Sequence, residues 1–293
     1  LKKALIFLRL MRPANIVTSV ADVLAGIAIS GYFLLGDQEF LSVFLLCLST
    51  IGLYGGGIVF NDVFDADLDR IERPERAIPS GAISKKEATL LGIVLLCIGI
   101  LAAFAFSLRS GIIAFLILVF ALVYNKFSKH YAFLGPLNMG VCRGMNLLLG
   151  VSIVSISLQS LYLLGLIPLI YIFSITMISQ GEVHGSSKKK LYAGAFLYEI
   201  VIGAILYAAF LQQNIFYSAL FVVLFVWMIF KPLFAAIKDP IGKNIGKAVK
   251  AGVISLILMD AAWAAAYGQI FFAMLIAMLL PLSLWLAKRF AVT

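Results

Sequence analysis

Ten apolar runs, each about long enough to cross a bilayer as a helix, follow one another along this chain. They lie near residues 14–35, 40–60, 87–107, 110–125, 132–156, 160–179, 191–211, 214–230, 248–268 and 269–287. A spanning helix takes roughly 20 apolar residues, so ten of them leave little of the 293 residues for anything else. Hydrophobic residues make up 63% of the chain and charged ones 13%. A soluble domain cannot hide that much apolar surface. Composition therefore excludes a soluble enzyme, a secreted disulfide scaffold and a disordered protein. Segments of alternating polarity, the mark of a transmembrane barrel, are not seen. The predicted fold class is all-α, a polytopic membrane helical bundle, with residues 1–293 forming a single transmembrane domain.

The net charge of +9 would suggest nucleic acid in a soluble protein. Here it reads as topology, with no nucleic-acid partner. An even number of spans puts both termini on one side. Of the 23 Lys and Arg residues, all but Arg109 and Arg143 then fall on that side. Basic residues gather in cytoplasmic loops, so both termini and the long loops are predicted to be cytoplasmic. Function should sit there, because long polar loops carry it. The amphipathic start, Leu1 to Arg12, is expected at the membrane surface, with no cleavable leader. Cys47, Cys97 and Cys142 lack metal-ligand spacing and read as small packing residues.

The most informative stretch is Asn61-Asp62-Val63-Phe64-Asp65-Ala66-Asp67-Leu68-Asp69-Arg70. On a helix, Asp62, Asp65 and Asp69 fall within about 60° of arc, with Asn61 beside them and Asp67 pointing away. Like charges at this spacing repel, and more so where screening is weak. A divalent cation would offset the repulsion, and hard oxygens suit Mg²⁺, which bridges carboxylates to phosphates. Gly55-Gly56-Gly57, just upstream, permits a bend or close packing. Downstream, Arg73 and Arg76 stand in a loop with Pro74, Pro79 and Gly81. Both arginines could clamp a phosphate.

The stretch from Asn61 to Gly81 resembles the first signature of the UbiA superfamily of membrane prenyltransferases, N-D-x-x-D-x-x-x-D followed by R-x-x-R-x-x-P-S-G. Arg12-Pro13, Tyr124 to Lys129, and Asn138 with Arg143-Gly144 also resemble family features. The resemblance implies a nine-helix bundle around a central cavity, to which the tenth apolar run is an addition. It also implies an isoprenyl diphosphate held by Mg²⁺ between two acidic motifs, with Asn61, Asp62, Asp65, Asp69 and Glu182 as the catalytic set. Asp62, Asp65, Asp69 and Glu182 would be the metal ligands. Arg73, Arg76, Tyr124, Lys129, Asn138, Arg143 and Lys188 would bind substrate.

The second family signature, D-x-x-D-x-x-x-D, is degenerate here. Aligning Glu182 with its middle acid puts Ser179 and Ser186 on the other two. A second Mg²⁺ would bind more weakly, or Lys188 to Lys190 would neutralise the diphosphate directly. His184 is a weaker candidate for proton transfer. The wording Ser-Gln-Gly-Glu-Val-His-Gly, with the C-terminal Leu-Ala-Lys-Arg-Phe-Ala-Val-Thr, is similar to the UbiA-like EboC subgroup, encoded in bacterial clusters linked to secondary-metabolite precursors, and this resemblance implies a bacterial inner membrane.

Asp22, Arg143, Glu199 and Asp260 lie inside apolar runs, where charge is costly. They are expected to face a cavity or pair, Asp22 near the cavity mouth and Asp260 with Arg143. The predicted activity is Mg²⁺-dependent transfer of an isoprenyl chain from its diphosphate to an aromatic or hydroxyl acceptor, within a lipid bilayer. The alternatives are an altered relative that binds or transports a prenylated precursor without transfer, and a secondary transporter.

Overall fold

The computed structural model describes residues 2–36, 39–182 and 185–290, and these form helices joined by short turns. The helices are α1 (Lys2–Met11), α2 (Pro13–Ile29), α3 (Phe40–Glu72), α4 (Lys85–Phe106), α5 (Leu108–Lys126) and α6 (Leu134–Val151). They continue with α7 (Ser155–Leu161), α8 (Leu166–Ser179), α9 (Lys188–Leu211), α10 (Ile215–Lys238), α11 (Gly242–Ala266), α12 (Ile270–Ala277) and α13 (Leu279–Arg289). Eight of the described segments are long and apolar enough to cross a membrane, or nine if the bent pair α1–α2 counts as one span. All ten expected runs are helical. The shortfall against ten is α6, whose 18 residues include Asn138, Arg143 and Asn146.

Local sequence explains where the helices stop. Pro13 opens α2 at the position where its missing N–H costs nothing. Arg12 before it is left-handed (φ 48°), and α1 meets α2 at 48°. Ser84 and Glu87 close a reciprocal capping box at the start of α4. Gly268, at φ 78°, separates α11 from α12, as the Tyr267-Gly268-Gln269 boundary predicts. At 33 residues, α3 is roughly 50 Å long, against a hydrocarbon thickness of about 30 Å. Its acidic last turns therefore project beyond the apolar layer.

Small residues set the closest crossings. A Cβ on Gly52 of α3 would stand 2.4 Å from the Leu95 carbonyl oxygen of α4. One on Gly150 of α6 would stand 2.2 Å from the Val23 carbonyl oxygen of α2. Only glycine permits backbones to approach so closely. The Gly55-Gly56-Gly57 run does not interrupt α3, which is continuous through it. Gly56 packs against Leu96, whereas Gly57 has open space beside Ala121.

The Ala-rich α11 is the central helix. In its most apolar window 83% of residues are buried, against 22–44% in the other spans. Large apolar side chains such as Phe40, Phe216 and Trp227 instead point outward, as a lipid-facing surface requires. Glu199 departs from its expectation: it is exposed on the outer face of α9 and faces no cavity. Cys97 also points outward.

Candidate active site

The C-terminal turns of α3 place Asp62, Asp65 and Asp69 on one face, and Asp67 on the exposed opposite side. Three basic side chains converge on that face from three other parts of the chain. Arg12 Nη2 donates to Asp62 Oδ1 at 3.1 Å. Arg76 Nη1 donates to Asp69 Oδ2 at 2.8 Å and approaches Asp62 Oδ1 at 3.4 Å. Lys129 pairs with Asp65. All six side chains are less than 20% exposed. The repulsion expected along the acidic stripe is thus offset by Arg12, Arg76 and Lys129, where the spacing alone pointed to a divalent cation.

Beside this ion-pair cluster opens a cavity of about 460 Å³. Asn61, Asp65, Asp69, Arg12, Arg73, Arg76, Lys129 and Glu182 line one end of it. Leu53, Ile58, Ile117, Ile172, Ile175 and Val253 supply apolar wall below. A single hollow therefore joins a charged mouth to a greasy shaft. Asn61 donates to Asn125 Oδ1 (3.1 Å), and Asn125 donates to the Gly57 carbonyl (2.8 Å), so α3 and α5 are tied just under the mouth.

Glu182 stands in the turn after α8 and lines the cavity. Its Oε1 is buried without a hydrogen-bond partner. Burial raises its pKa above the ordinary carboxylate value, against the opposing pull of Arg73 and Arg12. Ser179 also lines the cavity, but its hydroxyl donates to the Thr176 carbonyl at 2.8 Å. Ser186 lies outside the lining, and its N–H donates to the Pro240 carbonyl. The degenerate motif thus brings one carboxylate to the mouth.

The oxygen donors around the mouth have the chemistry of a Mg²⁺ site: carboxylates of Asp65, Asp69 and Glu182, with the Asn61 amide beside them. The partnerless Glu182 oxygen fits the same reading. Among the described residues no three His, Cys, Asp or Glu side chains are grouped closely enough to hold an ion as they stand. The α3 carboxylates hold Arg and Lys instead.

Other expected site residues divide clearly. Arg73, Arg76, Tyr124, Lys129 and Arg143 line the cavity. Asp62 is buried beside it, engaged by Arg12 and Arg76. Asn138 is outside the lining, donating to Ser128 Oγ at 3.0 Å. Lys188 opens α9 as an exposed residue away from the lining. His184 falls outside the described residues. Cys142, expected as simple packing, lines the cavity.

Arg143 is 3% exposed and forms its ion pair with Asp22 of α2, in place of the expected Asp260. Asp22 is fully buried behind the cavity wall, not at the mouth. Asp260, from α11, lies against Asp22 and within the field of Arg143. Several lining residues escaped the sequence reading: Arg12 as an acid partner, and Thr50, Tyr54 and Asn146. Only Arg12 carried a local signal, its place before Pro13. The others are polar residues within apolar runs whose role depends on which helix they face.

Residues 23–241 match the UbiA prenyltransferase family. The digeranylgeranylglyceryl phosphate synthase of Methanosphaera stadtmanae is 25% identical over 193 residues, 66% of this chain and 68% of that protein. The synthase of the same name from Saccharolobus solfataricus is 29% identical over 59% of this chain and 60% of its own length. This chain thus matches about two thirds or less of these curated relatives. A UbiA homolog from Archaeoglobus fulgidus, solved with DMAPP and Mg²⁺, superposes with a TM-score of 0.62 at 17% identity. That superposition covers 89% of this chain and 99% of the other. It shows the shared fold.

Proposed function

This chain belongs to the UbiA prenyltransferase family, and from that premise we propose that it moves an isoprenyl chain from its diphosphate to a nucleophilic acceptor. The observation that carries this is the cavity: carboxylates and guanidinium groups at one end, aliphatic walls below. A prenyl diphosphate has the same two-part chemistry.

In this mechanism Arg73, Arg76 and Lys129 bind the diphosphate and stabilise the negative charge that grows on it as the C–O bond breaks. Mg²⁺, held by Asp62, Asp65, Asp69 and Glu182, would neutralise part of that charge. Arg12 and Arg76 orient Asp62 and Asp69. Apolar walls exclude water from the allylic cation left behind, so the acceptor captures it before hydrolysis. Tyr124 stands on the wall below the mouth and contacts the donor or acceptor there. Arg143 reaches the same lining deeper down. Asn138 and Lys188 lie off the lining and are assigned no contact.

The relatives bring an acceptor class to the proposal: a hydroxyl of a prenylated glyceryl phosphate. They lend no support to the EboC subgroup, whose resemblance rests on two short stretches. The relatives named above are archaeal, so a bacterial membrane also gains no support. The one-sided basic loops place the site and both termini in the cytoplasm in this reading. The whole chain acts as one transmembrane domain.

The test uses protein reconstituted in bilayer nanodiscs with radiolabelled geranylgeranyl diphosphate, Mg²⁺ and geranylgeranylglyceryl phosphate. Labelled lipid product is expected, and its absence across hydroxyl and aromatic acceptors would defeat the transferase assignment. Mg²⁺-dependent diphosphate binding without product would favour the non-catalytic alternative, which the single carboxylate of the second motif supports.

A further inference from the structure

Among the described residues, Glu199 is the one exposed acid near the middle of a membrane-crossing helix. It stands roughly 17 Å from the first residue of α9 and roughly 18 Å from the last. That is the centre of a hydrocarbon layer about 30 Å thick. Long basic side chains can reach the surface from inside a bilayer, but a glutamate at this depth is too short to do so. No described residue donates to it. Ionisable groups in a bilayer are costly and nearly always face protein or a water-filled cavity, yet Glu199 points outward. Tyr192, Phe196, Gly203 and Phe210 share its side of α9, within about 60° of arc, and all are exposed. The opposite side is ordinary core, with Leu191, Tyr198, Val201 and Ile205 buried among residues of α8, α10 and α11.

We propose that this face of α9 is the contact between two copies of the chain, joined at mid-membrane by a hydrogen bond between their Glu199 carboxyl groups. Lipid tails offer a carboxyl group no partner. A second copy presents one at the required depth. Identical chains insert with their basic loops on the same side. A two-fold axis relating them therefore runs along the membrane normal, and equal residues meet at equal depth. Glu199 thereby faces Glu199 of the second copy. One proton held between two carboxyl groups makes a charge-assisted O–H···O bond, the short and strong kind.

Gly203 makes the meeting sterically possible. It lies about 6 Å along the same face from Glu199, and a Cβ built on it meets nothing within 4 Å. Bare backbone at that point lets two helices approach closely enough for the short glutamate side chains to touch. Tyr192, Phe196 and Phe210 cover the contact above and below. No residue of α9 lines the central cavity, so this surface is separate from the site of transfer and does not depend on that reaction.

The experiment measures self-association of the full chain in liposomes, by energy transfer between donor-labelled and acceptor-labelled copies across protein-to-lipid ratios. Wild type should associate, and dilution with lipid should reverse it. Glu199→Leu should weaken association about 3- to 30-fold, the range for one hydrogen bond between membrane helices. Glu199→Gln should stay close to wild type, because an amide both donates and accepts. Gly203→Leu meets no neighbour within its own chain and should weaken association at least about fivefold by holding the backbones apart. A wild type that stays monomeric at every ratio would overturn the proposal. So would unchanged association in either leucine variant. Equal losses in Glu199→Gln and Glu199→Leu would reject the carboxyl pair in favour of a cationic partner. Melting temperatures in detergent show which variants are folded; if one leucine variant is not, the other and wild type still decide.

Discussion

Arg76 joins Asp62 to Asp69, one guanidinium nitrogen lying 3.4 Å from the first carboxylate and 2.8 Å from the second. The two acids are two helical turns apart on α3, and Arg76 reaches them from the loop that follows. The loop is thereby fastened to the helix it leaves. Replacing Arg76 by Ala strands the nearly buried Asp69 and leaves Asp62 with Arg12 alone. Loss of one partner from such a pair typically costs about 3–5 kcal/mol; the partly exposed Arg76 should fall near or below the lower end. Thermal unfolding in detergent should show the drop. Arg76→Lys should recover it only in part, because a compact, strongly hydrated ammonium on a flexible stem replaces the planar, pre-organised guanidinium.

Asp65→Asn tests the acid most open to the cavity. Lys129 would lose its counter-ion, but the amide keeps the shape. Mg²⁺-dependent diphosphate binding should fall at least about 100-fold, since even outer-shell partners of a metal are worth 10–100-fold. Binding that survives unchanged would remove Asp65 from the ligand set.

Chelation offers a second check on the ion. EDTA should abolish donor binding, and added Mg²⁺ should restore it. Glu182→Gln should raise the Mg²⁺ concentration needed for half-maximal binding, by about tenfold if the carboxylate is a ligand. A Mg²⁺ dependence identical to wild type would confine the site to α3.

Asp22 and Asp260 face one guanidinium between them, and the two should respond differently to neutralisation. Asp22→Asn leaves Arg143 buried beside an amide, and stability should fall by about 3–5 kcal/mol. Asp260→Asn keeps the Arg143–Asp22 pair and removes the second carboxylate crowded against Asp22. It should change stability by no more than about 1 kcal/mol. Paired thermal melts decide this, and equal losses would reject the unequal roles.

Two glycines in the same helix should behave in opposite ways. Gly52→Ala drives a Cβ to 2.4 Å from the Leu95 carbonyl oxygen, where backbone must move. Overpacking of this kind costs about 1–3 kcal/mol. Gly57→Ala meets only an ordinary contact at 3.7 Å and should be neutral or slightly stabilising. Expression level and melting temperature report both.

Much of this protein was legible from one dimension because the bilayer acts as a uniform solvent. Apolar runs must become helices there, since unpaired backbone groups cannot be tolerated. Basic loops sort to one side for a similarly general reason. The acidic stripe was legible too, because Asp62, Asp65 and Asp69 lie on one helix and their relative directions follow from its period. The partners were not. Arg12, Arg76 and Lys129 reach the stripe from a bent helix, a loop and a turn, and no periodicity relates those segments. The same holds deeper down, where Arg143 pairs with Asp22 and the sequence pointed to Asp260. Helical period determines which face a side chain occupies; only the packing of helices decides what stands opposite. Charge neutralisation at the mouth and the Arg143–Asp22 pair deeper down are contacts between separate elements, so the tertiary structure alone could assign them.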